Sequence, residues 1–205
     1  KTLSFALTVS IVLMLALQPD FGQACLVLFG WGVMYFVGGA PFVILAGLAL
    51  AVILVGAFAY NNSDHFARRI DGFLSPDVDP TTQLGYATNA IREGGLFGVG
   101  VGEGQVKWSL PDAHTDFIIA VIGEELGLIG ILTLLALYLV IIGRGLYVAT
   151  QAPHTFQRLL AGALTLTFFV YVFVNVGMVS GLLPVVGVPL PLVSYGGTSA
   201  ITLLV

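Results

Sequence analysis

Long uncharged runs of apolar residues, separated by short polar breaks, open the chain. Residues 2–19, 21–37 and 42–60 form three such runs, and the sequence GGAP at 38–41 separates the second from the third. An α-helix needs about 20 consecutive apolar residues to cross the hydrocarbon core of a bilayer. The pattern therefore predicts a transmembrane helix for each of these runs.

A long polar segment, residues 61–115, interrupts this pattern before three further apolar runs follow. These runs cover residues 116–143, 159–180 and 192–205, and a stretch rich in Pro and Gly precedes the last one. The last run is too short to cross a membrane, so we expect the chain to be part of a longer protein. The whole pattern predicts an all-α, polytopic transmembrane helical bundle, a single membrane domain with about six helices and one large loop.

Composition supports a membrane location. Hydrophobic residues make up 58% of the 205 residues and charged residues only 9%, with a mean hydropathy of +1.01. Soluble domains carry roughly 25% charged residues, so a soluble protein of this composition could not cover its surface with polar groups. The one cysteine, Cys25, lies inside an apolar run and cannot form a disulfide within the chain. We expect membrane lipids, and no nucleic acid, as partners.

The charges of the short connections predict the orientation. If the loop 61–115 faces outward, alternation places Lys1, Arg144 and Arg158 in the cytoplasm and Asp20 outside. Short cytoplasmic loops carry an excess of Lys and Arg. The large loop is therefore predicted to be extracytoplasmic.

The segment LPDAHTDFIIAVIGEELG, residues 110–127, carries carboxylates into an apolar run, and Asp116 stands where that run begins. A carboxylate in the first turn of a helix is stabilised by the helix macrodipole, which is a purely structural explanation. The functional alternative is a general base at the membrane surface. Glu124 and Glu125 lie deeper, where carboxylates are costly and usually line a cavity or pair with a partner. We expect Glu124 to line a cavity or to pair with an arginine of the loop.

Glycines are prominent on both sides of this segment. The loop contains GGLFGVGVGEG, residues 94–104; backbone N–H groups of such a loop can converge on an anion, and a flexible surface loop is the plainer alternative. Gly123 and Gly127 have a GxxxG spacing that allows another helix to approach closely. Histidines and the cysteine are few and scattered, so no strong protein metal site is expected.

Four separated motifs resemble one known family. QPDFG (18–22), RRIDGFLSPDVDP (68–80), LPDAHTDFIIAVIGEELG (110–127) and PLPLVSYGGTS (189–199) are similar to the SEDS family of shape, elongation, division and sporulation proteins, whose members include FtsW and RodA. The resemblance extends over essentially the whole chain. The family has ten transmembrane helices, so the resemblance implies that this chain matches roughly the last six.

The resemblance implies a peptidoglycan glycosyltransferase of the bacterial cytoplasmic membrane, which polymerises lipid II into a nascent glycan strand at the outer, periplasmic face. Division and elongation both remain open as the process it serves. The implied partners are a class B penicillin-binding protein and other divisome or elongasome membrane proteins. The implied cofactor is a divalent cation, Mg²⁺ or Mn²⁺, whose ligands are unknown.

The family's essential aspartate lies in the motif that reads HTDF here, so the resemblance places the catalytic role on Asp116. A lipid-linked pyrophosphate leaving group needs cations, and an arginine can bind it bidentately. Arg68 and Arg69 are the first candidates. The full set of expected substrate-binding residues is Arg68, Arg69, Arg92, Lys107, His114 and Glu124.

Two other functions are compatible with a polytopic chain: a flippase or transporter of a lipid-linked precursor, and a non-catalytic scaffold for a penicillin-binding protein. A flippase needs a polar path through the full bilayer. Here the polar residues are concentrated in the predicted outer half of the spans, which favours an enzyme.

Overall fold

The computed structural model describes residues 2–18, 21–39, 41–62, 64–75 and 79–195. Within them the chain is helical and contains no β-strand. The helices are α1 (Thr2–Leu17), α2 (Phe21–Val37), α3 (Phe42–Asn62), α4 (Asp64–Leu74), α5 (Gln83–Gly94), α6 (Ile118–Gln151) and α7 (Thr155–Val179), with a short 3-10 helix at Val106–Trp108. The predicted all-α membrane-protein fold is confirmed.

Length and apolar composition identify the membrane-crossing candidates among the described residues. α6 and α7 each qualify, and the bent pair Ala46–Asn62 and Phe66–Leu74 adds a third candidate if it counts as one span. α1 and α2 are apolar but shorter, with 16 and 17 residues. The set of six spans therefore stays a prediction.

Contacts divide the chain into two compact units. The first comprises Lys1–Ile70 with Gly145–Thr167, and the second comprises Asp71–Arg144 with Phe168–Val205. In the first unit the indole of Trp31 on α2 packs against Phe5 of α1, with ring centroids 5.4 Å apart. Gly145 of α6 lets Thr165 of α7 approach closely, since a Cβ there would lie 2.3 Å from the Thr165 hydroxyl oxygen.

The core of the second unit lies where α6 and α7 meet the chain segments around them. Its largest fully buried apolar side chains are those of Phe117, Met178, Leu190, Val179 and Val188. These residues come from the turn just before α6, the end of α7 and the segment after α7, so the core joins these three parts of the chain.

α6 is not a continuous helix. Gly127 has φ 68° and ψ −167°, which breaks the helix. The carbonyls just before the break, those of Glu124 and Glu125, accept hydrogen bonds from the N–H groups of Val99 and Gly100 at 2.9 and 3.1 Å. The glycine-rich loop thus supplies the donors that the helix itself no longer provides.

The same loop satisfies the other side of the break. The N–H groups of Leu128 and Ile129 donate to the carbonyls of Gly95 and Leu96 at 2.9 and 3.2 Å. Unpaired backbone groups are costly at membrane depth, so this exchange makes the break tolerable. The backbone at residues 95, 96, 99 and 100 is therefore bound to α6, and the loop is not a free surface loop there.

The predicted sixth span does not begin at residue 192. Residues 180–195 are turns and extended chain, and Leu192 has a left-handed φ of 66°. Residues from 196 onward lie outside the described part of the chain, as do Asp20 and Asp77. The segment stays non-helical because its polar groups bond to other parts of the second unit.

Candidate active site

Asp116 lies just before α6 and not in its first turn, where the structural explanation would place it. α6 begins after it, and residues 111–117 form successive turns. The N–H groups of Thr115 and Phe117 donate to the carbonyl of Asp112 at 3.1 and 3.2 Å. The macrodipole of α6 still favours a negative charge at this place.

The three consecutive carbonyls of residues 114–116 accept hydrogen bonds from distant parts of the chain. The first accepts from the backbone N–H of Tyr195 at 3.0 Å, and the second accepts from the hydroxyl of Ser194. The third accepts from Nδ2 of Asn175 at 2.8 Å. In a helix these carbonyls would bond N–H groups four residues further on, so their outside partners explain why α6 starts late.

The half-buried carboxylate of Asp116 faces the backbone of Gly187. A Cβ at Gly187 would lie 3.3 Å from Oδ2 of Asp116, and the φ of +70° there is one that side chains with a Cβ rarely adopt. Nδ2 of Asn175 also donates to the carbonyl of Val188. Asn175 therefore ties the backbone of Asp116 to the chain that passes beside its carboxylate.

Two further bonds hold the segment 187–195. The hydroxyl oxygen of Ser194 accepts from the N–H of Leu190 at 2.7 Å, and the phenol of Tyr138 on α6 donates to the carbonyl of Pro191. These hydrogen bonds thus hold the Pro-rich segment against residues 114–116, here called the HTD turn, and against both long helices within the second unit.

Glu124 is 1% exposed and is bound by the loop. Its carboxylate accepts from the backbone N–H groups of residues 105–107 at 2.5, 2.8 and 3.2 Å. A Cβ at Gly104 would lie 2.8 Å from Cδ of Glu124, so the missing side chain there allows the close approach. The sequence predicted a cavity or an arginine for Glu124, whereas its observed partners are N–H groups at the start of the 3-10 helix.

Lys107 forms an ion pair with Glu125. Its Nζ also donates to the carbonyl of Gly102 at 3.3 Å and lies 5.5 Å from the centroid of the Trp108 ring. These contacts connect the loop to α6 directly after Glu124. Lys107 thus has a structural role in the loop. Its role in substrate binding stays a prediction.

An open groove of about 350 Å³ lies along the chain between Lys107 and Thr115. His114 and Asp112 line it with exposed side chains, and Trp108 beside them is 80% exposed. The groove therefore leads to the turn that carries Asp116. Imidazole, carboxylate and indole groups are all suited to a polar sugar ligand.

The predicted arginines have different settings. Arg92 lies in the last turn of α5, in the same unit as Asp116, and is exposed. Arg68 is exposed on α4 and belongs to the first unit, and for Arg69 only the helical backbone is described. Their predicted contact with pyrophosphate is untested.

The start of α5 is built by Asp79 and the threonines that follow it. The hydroxyl and N–H of Thr81 donate to Oδ1 of Asp79 at 2.7 and 2.9 Å. These bonds hold the pKa of the Asp79 carboxyl below its usual value. Thr82 caps the helix by accepting from the N–H of Gly85 at 3.2 Å.

No group of three His, Cys, Asp or Glu side chains that could hold a metal ion occurs among the described residues. The described residues alone therefore offer no set of side-chain ligands for a metal ion. The divalent cation implied by the resemblance is untested, and no chemical step below depends on it.

Sequence reasoning missed three residues of the site: Asn175, Ser194 and Gly187. In the sequence, Asn175 is an amide inside an apolar run, and Ser194 belongs to the PLPLVSYGGTS motif, but neither pattern indicates a partner. An uncharged polar residue at membrane depth needs a partner. That signal alone did not identify the HTD turn as the partner.

Comparison with known proteins places these residues in a family. The model of the family described as cell cycle proteins, which covers FtsW, RodA and SpoVE, matches residues 2–205. The chain belongs to this family. The resemblance expected from the four motifs is therefore confirmed.

Relatives of known name support the assignment to this family. The peptidoglycan glycosyltransferase MrdB of Escherichia coli is 48% identical over 204 residues, covering 94% of this chain and 54% of MrdB. The probable peptidoglycan glycosyltransferase FtsW of Caulobacter vibrioides is 36% identical, covering 98% of this chain and 52% of that protein. The chain thus spans about half the length of the curated relatives it matches.

Solved structures of family members agree with the fold. A chain from a peptidoglycan synthase complex that coordinates polymerization and crosslinking matches with a TM-score of 0.76 and 34% identity, covering 99% of this chain and 58% of that one. A mutant of the rod shape determining protein RodA from Thermus thermophilus matches with a TM-score of 0.64 and 30% identity, covering 100% and 53%.

Proposed function

We propose that this chain forms the catalytic part of a peptidoglycan glycosyltransferase that polymerises lipid II at the outer face of the bacterial cytoplasmic membrane. Family membership and the names of the relatives support the reaction class. Since the chain spans about half of each relative, the activity is proposed for the longer protein that contains it.

The observation that carries the proposal is the setting of Asp116. Its backbone and that of the two preceding residues are held by three outside donors, and its carboxylate faces a glycine that leaves space beside it. A general base must be held in a fixed position to act, and such a base contributes typically about 10²–10⁴-fold in rate.

In the proposed reaction the 4-hydroxyl of the acceptor sugar attacks the anomeric carbon of the donor strand. A bond forms between that oxygen and the anomeric carbon, and the bond from the anomeric carbon to the pyrophosphate oxygen breaks. The hydroxyl proton passes to the carboxylate of Asp116. The bonding electron pair leaves with the lipid-linked pyrophosphate.

The departing pyrophosphate carries negative charge that needs stabilisation in the transition state. Arg68 and Arg69 are proposed for this role, with Arg92 and Lys107 as further contacts. His114, exposed in the groove beside the HTD turn, is proposed to contact the sugar. The polyprenyl tail would remain in lipid while the sugar and phosphate stay at the membrane surface.

The proposed partner is a class B penicillin-binding protein, in keeping with the similarity to a chain of a peptidoglycan synthase complex. Other divisome or elongasome proteins, and a Mg²⁺ or Mn²⁺ requirement, extend this proposal from the family resemblance.

The decisive experiment compares Asp116→Asn with wild type in the full-length protein, purified with its penicillin-binding partner and supplied with labelled lipid II and a divalent cation. We expect glycan polymerisation to fall by about 10²-fold or more, because the amide cannot accept the proton. The matched control is Glu103→Gln, which changes an exposed carboxylate of the loop that does not line the groove.

Each alternative predicts a different result. Polymer formation by Asp116→Asn at the wild-type rate would reject the catalytic assignment. A flippase would translocate lipid II in vesicles without polymerising it. A scaffold would leave the wild-type protein inactive while still raising the activity of its partner.

A further inference from the structure

Asn175 and Ser194 are polar residues that the proposed chemistry does not use, yet both bond to the backbone at Asp116. Nδ2 of Asn175 reaches the Asp116 carbonyl from 59 residues along the chain at 2.8 Å. The Ser194 hydroxyl reaches the Thr115 carbonyl from 79 residues along. Neither bond arises from local secondary structure, so each requires the tertiary fold.

These two hydrogen bonds are made to the two peptide units on either side of the Cα of Asp116. The Thr115 carbonyl belongs to the plane before this Cα, and the Asp116 carbonyl belongs to the plane after it. Because peptide units are rigid and only φ and ψ rotate between them, fixing both planes fixes the direction of the Cα–Cβ bond. The carboxylate then keeps only its own side-chain torsions.

The orientation of the Asn175 amide follows from its partners. Nδ2 lies within reach of two carbonyl oxygens, those of Asp116 and Val188, and only the NH₂ end of an amide can donate to them. Asn175 is fully buried, and its Oδ1 has no hydrogen-bond partner among the described residues. A buried unsatisfied acceptor costs about 1–3 kcal/mol. The two hydrogen bonds that Nδ2 donates offset this cost, which explains why an amide is found at this position.

Ser194 links the same turn to the chain that follows Gly187. Its oxygen accepts from the Leu190 N–H while its hydroxyl donates to Thr115. Ser194 and Asn175 therefore bond both to the segment after Gly187, which lies beside the carboxylate, and to the backbone that carries this carboxylate.

We propose that Asn175 and Ser194 are positioning residues, which act on the reaction only by holding the Asp116 carboxylate in place through its backbone. The inference rests on the proposed function, because it concerns the same base. It assigns a role to one residue of α7 and one of the segment after it.

The test measures polymerisation of lipid II by the full-length complex with Ser194→Ala and Asn175→Asp. Asn175→Asp keeps the shape but replaces the donor NH₂ with an acceptor. We expect kcat to fall by about 10–10²-fold, as for misplacement of a reacting group by about 1 Å, with KM for lipid II changed less than about twofold. Ser194→Thr keeps the hydroxyl and should restore most of kcat.

Ser180→Ala is the matched control, because the Ser180 hydroxyl donates only to Val176 and Gly177 at the end of its own helix. It should retain wild-type kcat. The double variant Ser194→Ala with Asp116→Asn should be no slower than Asp116→Asn alone, since a positioning residue has no effect once the base is gone.

The outcomes separate this inference from the proposed function. If Asp116→Asn is inactive while Ser194→Ala and Asn175→Asp match wild type, the base stands and the positioning role is wrong. An additive loss in the double variant, or a fall in kcat that Ser194→Thr does not rescue, would also overturn it. Wild-type rates for Asp116→Asn would reject the base itself.

Discussion

At the scale of single residues, the carboxylates between residues 114 and 127 are of two kinds. Asp116 is half-buried beside a glycine, whereas Glu124 and Glu125 are bound by loop donors. A carboxylate that accepts hydrogen bonds from several N–H groups is held in one place by them. The deeper carboxylates therefore build the loop, whereas Asp116 is the candidate for chemistry because of its motif and its place on the turn before α6.

Replacing Glu124 by glutamine should loosen the loop. The amide turns one acceptor oxygen into a donor that faces backbone N–H groups, which costs about 1–3 kcal/mol. We expect a lower midpoint of thermal unfolding and faster hydrogen exchange at residues 105–107. The control is Glu103→Gln, which changes an exposed carboxylate of the same loop; equal effects of the two substitutions would contradict the role of Glu124.

At the scale of elements, the glycine-rich loop and the broken α6 form one backbone structure. Gly98 packs closely against the helix, since a Cβ there would lie 2.1 Å from the carbonyl oxygen of Glu125. Gly94 plays the same part at the end of α5, where a Cβ would lie 1.8 Å from the carbonyl oxygen of Gly123. The first half of the GxxxG motif thus receives α5, and the second half, Gly127, breaks the helix.

Gly98→Ala and Gly102→Ala separate close packing from backbone strain. Both glycines have left-handed φ values, 79° and 87°, but a Cβ at Gly102 meets nothing within 4 Å. We expect Gly98→Ala to be less stable than Gly102→Ala by about 1–3 kcal/mol, the range for overpacking. Thermal unfolding of the purified full-length protein measures this difference, and equal stabilities would show that the loop does not dock on α6 as described.

Sequence patterns predicted the elements better than they predicted the site. Apolar runs identified the long helices, because membrane spans need length and few charges. The same rule could not predict the break in α6, since Gly127 is a single glycine in an apolar run. Nor could it connect Asn175 with Asp116, because a hydrogen bond between residues so distant in sequence leaves no local pattern. The resemblance of the HTDF motif identified Asp116, and only the fold showed what holds it.

At the scale of the whole molecule, the question is on which side of the membrane each connection lies. α6 is long and apolar enough to cross, and it separates the loop that carries the candidate site from the connection to α7. The positive-inside rule puts Arg144 and Arg158 in the cytoplasm. With that orientation, which stays a prediction, the site faces outward, where sugar polymerisation takes place in the proposed function.

Cysteine labelling tests this orientation. In a cysteine-free version of the full-length protein, Glu103→Cys and His154→Cys place single thiols at exposed positions before and after α6. A membrane-impermeant maleimide added to intact cells without an outer-membrane barrier should label position 103 and leave position 154 unlabelled until the membrane is opened. If position 154 is labelled in intact cells and position 103 is not, Asp116 lies on the cytoplasmic side and the proposed function is wrong.

The interruption at Gly127 divides α6 into a short helix next to the candidate site and a longer apolar helix. Because the glycine-rich loop bonds to the carbonyls before the break and to the N–H groups after it, the loop sets the angle between the two parts. A change in the backbone of residues 95–100 would therefore redirect the short helix, and with it the turn that carries Asp116.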